Sequence, residues 1–168
     1  MKFKALLIGV LLLNIAIAIM PSTKGETFDP NIRVNNNLTD QRNVPVMTVA
    51  WDGTVYAAWQ DKSTGNWRIM LANAPASGGS FGGHMSVASS PPPGSIEQSP
   101  DIGYWNETVH IVWQDNRNTG SNDIFYSSLP KVASAPLPER KINDERWQGY
   151  RSGPAMAVAP TALSMWRM

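Results

Sequence analysis

The sequence predicts an all-β chain built from four-stranded units in tandem, and three observations predict it. The segment Trp51-Asp52-Gly53-Thr54-Val55-Tyr56-Ala57-Ala58-Trp59-Gln60-Asp61 returns as Trp105-Asn106-Glu107-Thr108-Val109-His110-Ile111-Val112-Trp113-Gln114-Asp115, every position displaced by 54 residues. Runs of strand character, bounded by Gly, Asn and Asp turns, recur in phase with that segment. Helix-period patterning is confined to the first twenty residues. Self-similarity at a fixed period of this size marks supersecondary units that bury their apolar surface only against one another.

Residues 1–24 form a segment of their own. Lys2 and Lys4 precede an apolar run from Ala5 to Met20, broken only by Asn14, and Ala16-Ile17-Ala18 supplies a small-x-small cleavage site. Sixteen helical residues reach about 24 Å, short of a roughly 30 Å hydrocarbon core. The segment therefore reads as a signal peptide, with an uncleaved membrane anchor as the alternative, and the chain as exported: secreted, or held at the cell surface.

The first unit covers about residues 32–87. Val46 to Trp51 is its first strand, Asp52-Gly53 a turn suited to positive φ in a two-residue hairpin, and Val55 to Gln60 its second strand. A third strand runs from about Arg68 to Asn73 and a fourth from about His84 to Ala88. The second unit, about 88–142, repeats this with Asn106-Glu107 as a weaker turn pair, Asp123 to Ser128 as third strand and Arg140 to Asn143 as fourth. Its second strand is apolar on both faces, Val109, Ile111 and Trp113 against Val112, as in a strand sandwiched between sheets. Ala88 to Gly94, with three consecutive prolines, is a loop between units. A partial third unit, 143–168, opens with Pro154-Ala155-Met156-Ala157-Val158-Ala159, which resembles Pro45-Val46-Met47-Thr48-Val49-Ala50 two periods earlier. Four strands per unit, repeated with Trp and turn residues at fixed offsets, predict blades of a β-propeller.

Trp113-Gln114-Asp115-Asn116-Arg117-Asn118 followed by Asp123-Ile124-Phe125-Tyr126-Ser127 resembles the repeat of exported sialidase-like propeller proteins, over residues 32 to 159. The resemblance implies an Asp-box hairpin after each third strand. In Ala74-Pro75-Ala76-Ser77-Gly78-Gly79-Ser80-Phe81 the Gly78, Ser80 and Phe81 positions fit, Ala76 stands where the Asp belongs and Ala74 where Ser or Thr belongs; no box follows Ser127. It also implies, for an active relative, an arginine triad, a Tyr-Glu pair and an acid/base Asp. None of Arg33, Arg42, Arg68, Arg117, Arg140, Arg146 and Arg151 stands in such a motif, and Tyr104 and Tyr150 have no identifiable Glu partner. No catalytic residue is carried over. Residues 25–168 supply about 2.7 periods, whereas propellers close with about four to eight blades. The expectation is a non-catalytic binding or scaffold module that is a fragment of a longer repeat protein. The alternatives are a fragment of a sialidase-like glycoside hydrolase and a subunit of a self-assembled ring.

Composition excludes several classes of chemistry. With no Cys there is neither a disulfide nor a thiolate nucleophile or metal ligand. The formal charge of +1 falls to about −1 without Lys2 and Lys4, and no basic cluster exists, so nucleic acid is excluded as a partner. His84 and His110 occupy different places in the repeat, without triad or zinc spacing. No cofactor is expected. The expected partners are carbohydrate or a cell-surface protein, and the missing blades or further copies of the chain; a membrane enters only through the first segment.

The candidate ligand-binding residues are Asp61, Asp115, Trp51 and Trp105. Asp61 and Asp115 could face a shared cleft or hold a cation with Asp123, or cap turns through backbone bonds, and the second role is the expected one. Trp59 and Trp113, in phase with the repeat, are assigned to packing between units. Trp51 and Trp105, beside the turns, are left for a ligand. Asn37 and Asn106 head Asn-x-Thr glycosylation triplets.

Overall fold

A computed structural model describes residues 30–35, 41–89, 91–118, 121–144 and 153–159. The leader, Asn37 and the end of the third unit lie outside them. The described residues hold eight strands and no helix. Strands β1 (Arg42–Val49), β2 (Val55–Asp61), β3 (Arg68–Ala74) and β4 (Gly82–Ser86) form one antiparallel sheet in chain order, called sheet A. Strands β5 (Glu97–Trp105), β6 (Thr108–Asp115), β7 (Asp123–Pro130) and β8 (Arg140–Lys141) form a second, sheet B, with the same order. The four-strand reading of both copies holds. The fourth strands are displaced from their expected places: β4 starts earlier than His84, and β8 stops at Lys141.

The two sheets pack face to face. From sheet A, Tyr56, Ala58, Ile69 and Leu71 meet Ile102, Tyr104, Val109, Ile111, Trp113, Phe125 and Leu129 from sheet B in one buried cluster. Because side chains alternate along a strand, this leaves Ala57, Trp59 and Asp61 on the outward face of sheet A and His110, Val112 and Gln114 on the outward face of sheet B. Ile111 and Trp113 are fully buried, which explains the apolar run of β6. Residues 153–159 lie along the outward face of sheet B, where the Met156 N–H donates to Asp101 Oδ2 at 2.6 Å. Val158 comes so close to Gly103 that a Cβ there would stand 3.0 Å from its methyl.

The first strand of each sheet carries a bulge at the same place, between Asn43 and Val46 and between Gln98 and Asp101. Val44 and Ser99 take left-handed φ values of 50° and 51° there. A bulge adds a residue to one strand and turns an N–H out of the ladder.

The hairpin turns correct the expectation drawn from their sequences. Val49 pairs with Val55, and the Ala50 N–H donates to the Thr54 carbonyl at 2.8 Å, so Trp51-Asp52-Gly53 is a three-residue loop. Only Gly53 is left-handed in it, at φ 83°. The Asp52 carboxylate, accepting the Thr54 N–H at 3.0 Å, holds its own residue out of the left-handed region. In sheet B, Trp105 pairs with Thr108, and Asn106 and Glu107 form a two-residue turn with φ 47° and 56°, the signature of a type I′ hairpin. The supposedly weaker pair thus makes the tighter turn. One consequence is that Trp51 and Trp105 are not structural equivalents: Trp51 is a loop residue and Trp105 ends a strand.

Candidate functional site

The Trp-Gln-Asp stretch builds the same arrangement twice. At the end of β2 the Trp59 indole N–H donates to Asp61 Oδ2 at 3.1 Å, and Asp61 Oδ1 accepts the Ser63 N–H at 2.7 Å. At the end of β6 the Trp113 indole reaches Asp115 Oδ2 at 3.4 Å, and Asp115 Oδ1 accepts the Arg117 N–H at 2.8 Å. Each Asp ties a buried Trp to the turn that follows it, the short-range carboxylate capping expected of Asp after a strand. Asp61 also pairs with Arg42 at 2.9 Å. Burial would raise its pKa, but the Ser63 and Trp59 hydrogen bonds and Arg42 bring it below the ordinary carboxylate value.

The two aspartates do not share a cleft. Asp61 stands on the outward face of sheet A and Asp115 on the inner face of sheet B. Asp123 is engaged separately, by Asn118, Asn143 and Lys141 at 3.0, 3.0 and 3.2 Å. Among the described residues no acid or histidine cluster could hold a metal ion.

The glutamine between Trp and Asp joins its sheet to the chain segment packed on it. Gln60 Oε1 accepts the N–H of Ser99, the left-handed bulge residue of β5, at 3.3 Å. Gln114 Oε1 accepts the N–H of Gly153, φ 56°, at 3.2 Å. Both donors lie 39 residues beyond their acceptors, so residues 153–159 begin on sheet B as β5 begins on sheet A.

A charged cluster lies between the sheets, in which Asp115 and Arg117 of the repeat motif are joined by Glu97 and Glu139, which carried no signal in the sequence. Arg117 donates to Asp115 through Nε at 2.8 Å and Nη2 at 2.6 Å, and to Glu139 Oε1 through Nη1 at 2.6 Å. Glu139 Oε2 accepts the Ser89 N–H and hydroxyl, tying the loop after sheet A to the approach of β8. Burial alone would raise the Glu139 carboxyl, but the Ser89 amide and the Arg117 guanidinium outweigh it and hold it near 2. Glu97, fully buried on β5, accepts the Ile69 N–H of sheet A at 2.8 Å. Its Oε1 has no hydrogen-bond partner, and Arg68 and Arg117 stand 3.8 and 3.9 Å away. Burial, reinforced by Asp115 directly across the strand pair, pushes Glu97 up to about 7 against the pull of the Ile69 amide and the arginines.

What remains outside these structural bonds is an aromatic edge at the hairpin tips. Trp51, 72% exposed, meets Trp105 edge to face with ring centroids 5.8 Å apart. Tyr56 and Tyr104 stack at 6.1 Å. Lys131 bridges the two tips through Asp52 and Glu107, at 3.1 Å each. The Thr54 backbone N–H and the Lys131 ammonium hold Asp52 near 2, so the tips stay charged across the physiological range. Beside Trp105 a cleft of about 280 Å³ opens between His110, Tyr126 and residues 156–159. His110 Nδ1 and the Tyr126 hydroxyl are hydrogen-bonded at 2.7 Å. Asn106 is exposed on the same edge, its carbonyl accepting the Thr108 hydroxyl at 3.2 Å.

Of the four candidate residues the structure thus brings Trp51 and Trp105 together and keeps Asp61 and Asp115 apart. The aspartates' duplication pointed to their architectural role; Glu97 and the His110–Tyr126 pair had no duplicated signal to mark them. No protein-family model, curated protein or solved structure matches the chain.

Proposed function

We propose that the chain is an exported, non-catalytic segment of a sialidase-like β-propeller that serves as a binding or scaffold module, taking carbohydrate or a cell-surface protein at the Trp51–Trp105 edge. The observation that carries this reading is the division of labour within the repeat. Trp59, Trp113, Gln60, Gln114, Asp61 and Asp115 are all engaged in bonds within or between sheets. Trp51 and Trp105, by contrast, offer aromatic surface to solvent beside a cleft with hydroxyl and imidazole groups. Aromatic faces flanked by hydrogen-bonding groups suit ligands with alternating apolar and hydroxylated surface. In-phase packing of the second sheet and of residues 153–159 supports the propeller arrangement, because the same contact recurs, a Gln near the end of the second strand accepting the N–H of a left-handed residue, Ser99 and then Gly153.

The test is tryptophan fluorescence titration with a panel of soluble neutral and acidic polysaccharides. Binding should be saturable and should fall at least tenfold in Trp51→Ala and Trp105→Ala, with unfolding transitions unchanged. Equal binding by both variants would overturn the assignment of the edge. Cleavage of a fluorogenic sialoside, abolished in Asp61→Asn or Asp115→Asn, would replace the binding reading with the glycoside hydrolase one.

A further inference from the structure

The outward face of sheet A carries the pattern of a face that is buried elsewhere in the same chain. Cross-strand pairing makes Val55, Ala57, Trp59 and Asp61 of β2 the counterparts of Val109, Ile111, Trp113 and Asp115 of β6. It likewise makes Met47 and Val49 of β1 the counterparts of Ile102 and Tyr104 of β5. In sheet B this whole set packs against the neighbouring sheet. In sheet A the β2 part of this face is already covered, with Ala57, Trp59 and Asp61 buried and Val34 and Asn35 lining a cleft of about 150 Å³ with Trp59 and Met47, while on β1 Met47 and Val49 stand 57% and 61% exposed and Val44, on the bulge, is 45% exposed. Exposed β-branched and Met side chains gathered along β1 leave that side of the face open among the described residues.

The chain also contains the complementary surface. The face that receives sheet B is Tyr56, Ala58 and Gln60, whose counterparts on the outward face of sheet B are His110, Val112 and Gln114. We propose that a second copy of this chain docks head to tail, the outward face of sheet A in one copy seated on the outward face of sheet B in the next. The proposal rests on the stacked-sheet reading above. Residues 153–159 occupy part of that seat, and Gly153 on Gln114 is the contact the incoming copy replaces. Val44 has the same left-handed φ as Gly153, 50° against 56°, so its bulge presents an N–H to the Gln114 carboxamide in the manner of Ser99 to Gln60. A head-to-tail contact that repeats closes into a ring when its rotation permits. With two sheets per copy, two to four copies reach the about four to eight blades at which propellers close.

Light scattering on the full chain reads the outcome directly. A single species of two, three or four copies is expected, and Met47→Arg, at an exposed position, should shift it to monomer with its unfolding transition unchanged. Val158→Asp, loosening the segment that covers the seat, should strengthen association. The absence of cysteine makes cross-linking selective. Tyr104 meets Tyr56 within the chain, so position 49 of one copy should meet position 110 of another. A Val49→Cys/His110→Cys chain treated with a short bis-maleimide should form multimers, whereas either single variant should not. Wild-type protein that is monomeric at its highest soluble concentration, or Val49→Cys that links to itself, overturns the proposal. A Tyr56→Cys/Tyr104→Cys chain is the control. If it links internally while positions 49 and 110 do not, the docking fails and the stacked-sheet reading stands; if it does not, the stacked-sheet reading fails as well.

Discussion

Glu97→Gln tests the charged layer between the sheets. Glu97 titrates at about 7 in the folded protein against an ordinary 4.5. Because its folded pKa is raised, the native state binds more protons than the unfolded chain between those values, and stability falls as pH rises through the interval. At about 1.4 kcal/mol for each pH unit, ionising Glu97 in place costs at most about 3 kcal/mol by pH 8. The glutamine carboxamide keeps an acceptor for the Ile69 N–H and supplies a donor toward Asp115 across the strand pair. The arginines keep other partners, Arg68 at the Ser95 carbonyl and Arg117 at Asp115 and Glu139. Urea unfolding followed by tryptophan fluorescence from pH 5 to 8 should show wild-type stability falling by about 2–3 kcal/mol. The variant's curve should lie nearly flat and above it at pH 8. The difference between the two proteins cancels every other titrating group. A variant less stable than wild type at pH 8, with no divergence between the curves, would mean that Glu97 is ionised and stabilised by Arg68 and Arg117, and the reasoning would be refuted.

Three further outcomes follow from the geometry. Glu107→Gly should raise stability by about 1 kcal/mol in thermal melts, because it relieves a left-handed non-glycine residue at φ 56° and gives up only an exposed ion pair, which is worth little; a loss would show that the turn is unstrained. Asp115→Asn, which strips Arg117 of a buried partner, should cost about 3 kcal/mol. Asp61→Asn strips the largely buried Arg42 of a partner at 2.9 Å in the same way and should also cost about 3 kcal/mol; a loss confined to one of the two variants would contradict the matching roles assigned to them. Glu139, held near 2, contributes stability that is present above 4.5 and is lost as pH falls toward 2. Glu139→Gln should remove that acid-side slope, as read by circular dichroism across pH 2–5.

The repeat made the sheets legible because a strand that packs between two layers must be apolar on both faces, and β2 and β6 say so twice. The turns misled because local chemistry competes within them. Asp-Gly favours a two-residue turn, yet the Asp52 carboxylate captures the Thr54 amide and lengthens the loop, while Asn106-Glu107 accepts left-handed backbone under the pull of a strand that continues to Trp105. That single residue shifted the phase of the first strands from 54 to 55, so Val49 answers to Tyr104 and the two tryptophans fall at different places. The architectural role of Asp61 and Asp115 was legible from their duplication. Glu97 was not, because the position it shares with Arg42 reverses charge between copies. Sheet A meets its Asp with an arginine from the facing strand, whereas sheet B draws Arg117 from the loop and leaves Glu97 to reach across to Ile69.

The contact that stacks one unit on the next recurs in backbone rather than in residue type, which is why no pattern of letters reveals it. Val44, Ser99 and Gly153 share no side-chain chemistry, yet all three are left-handed, at φ 50°, 51° and 56°. In the second and third, the N–H released by that conformation is received by the glutamine ending the second strand of the unit before. What recurs visibly is only the acceptor, Gln60 and Gln114. A β-branched residue tolerates positive φ poorly, so Val44 holds a costly conformation on the one bulge for which no preceding unit among the described residues supplies a carboxamide. In the head-to-tail docking proposed above, the N–H of this left-handed residue is the group that Gln114 of the next copy receives. Val44→Gly should accordingly stabilise the isolated chain by about 1 kcal/mol while leaving head-to-tail association intact, because the N–H is retained and only the exposed isopropyl group is lost.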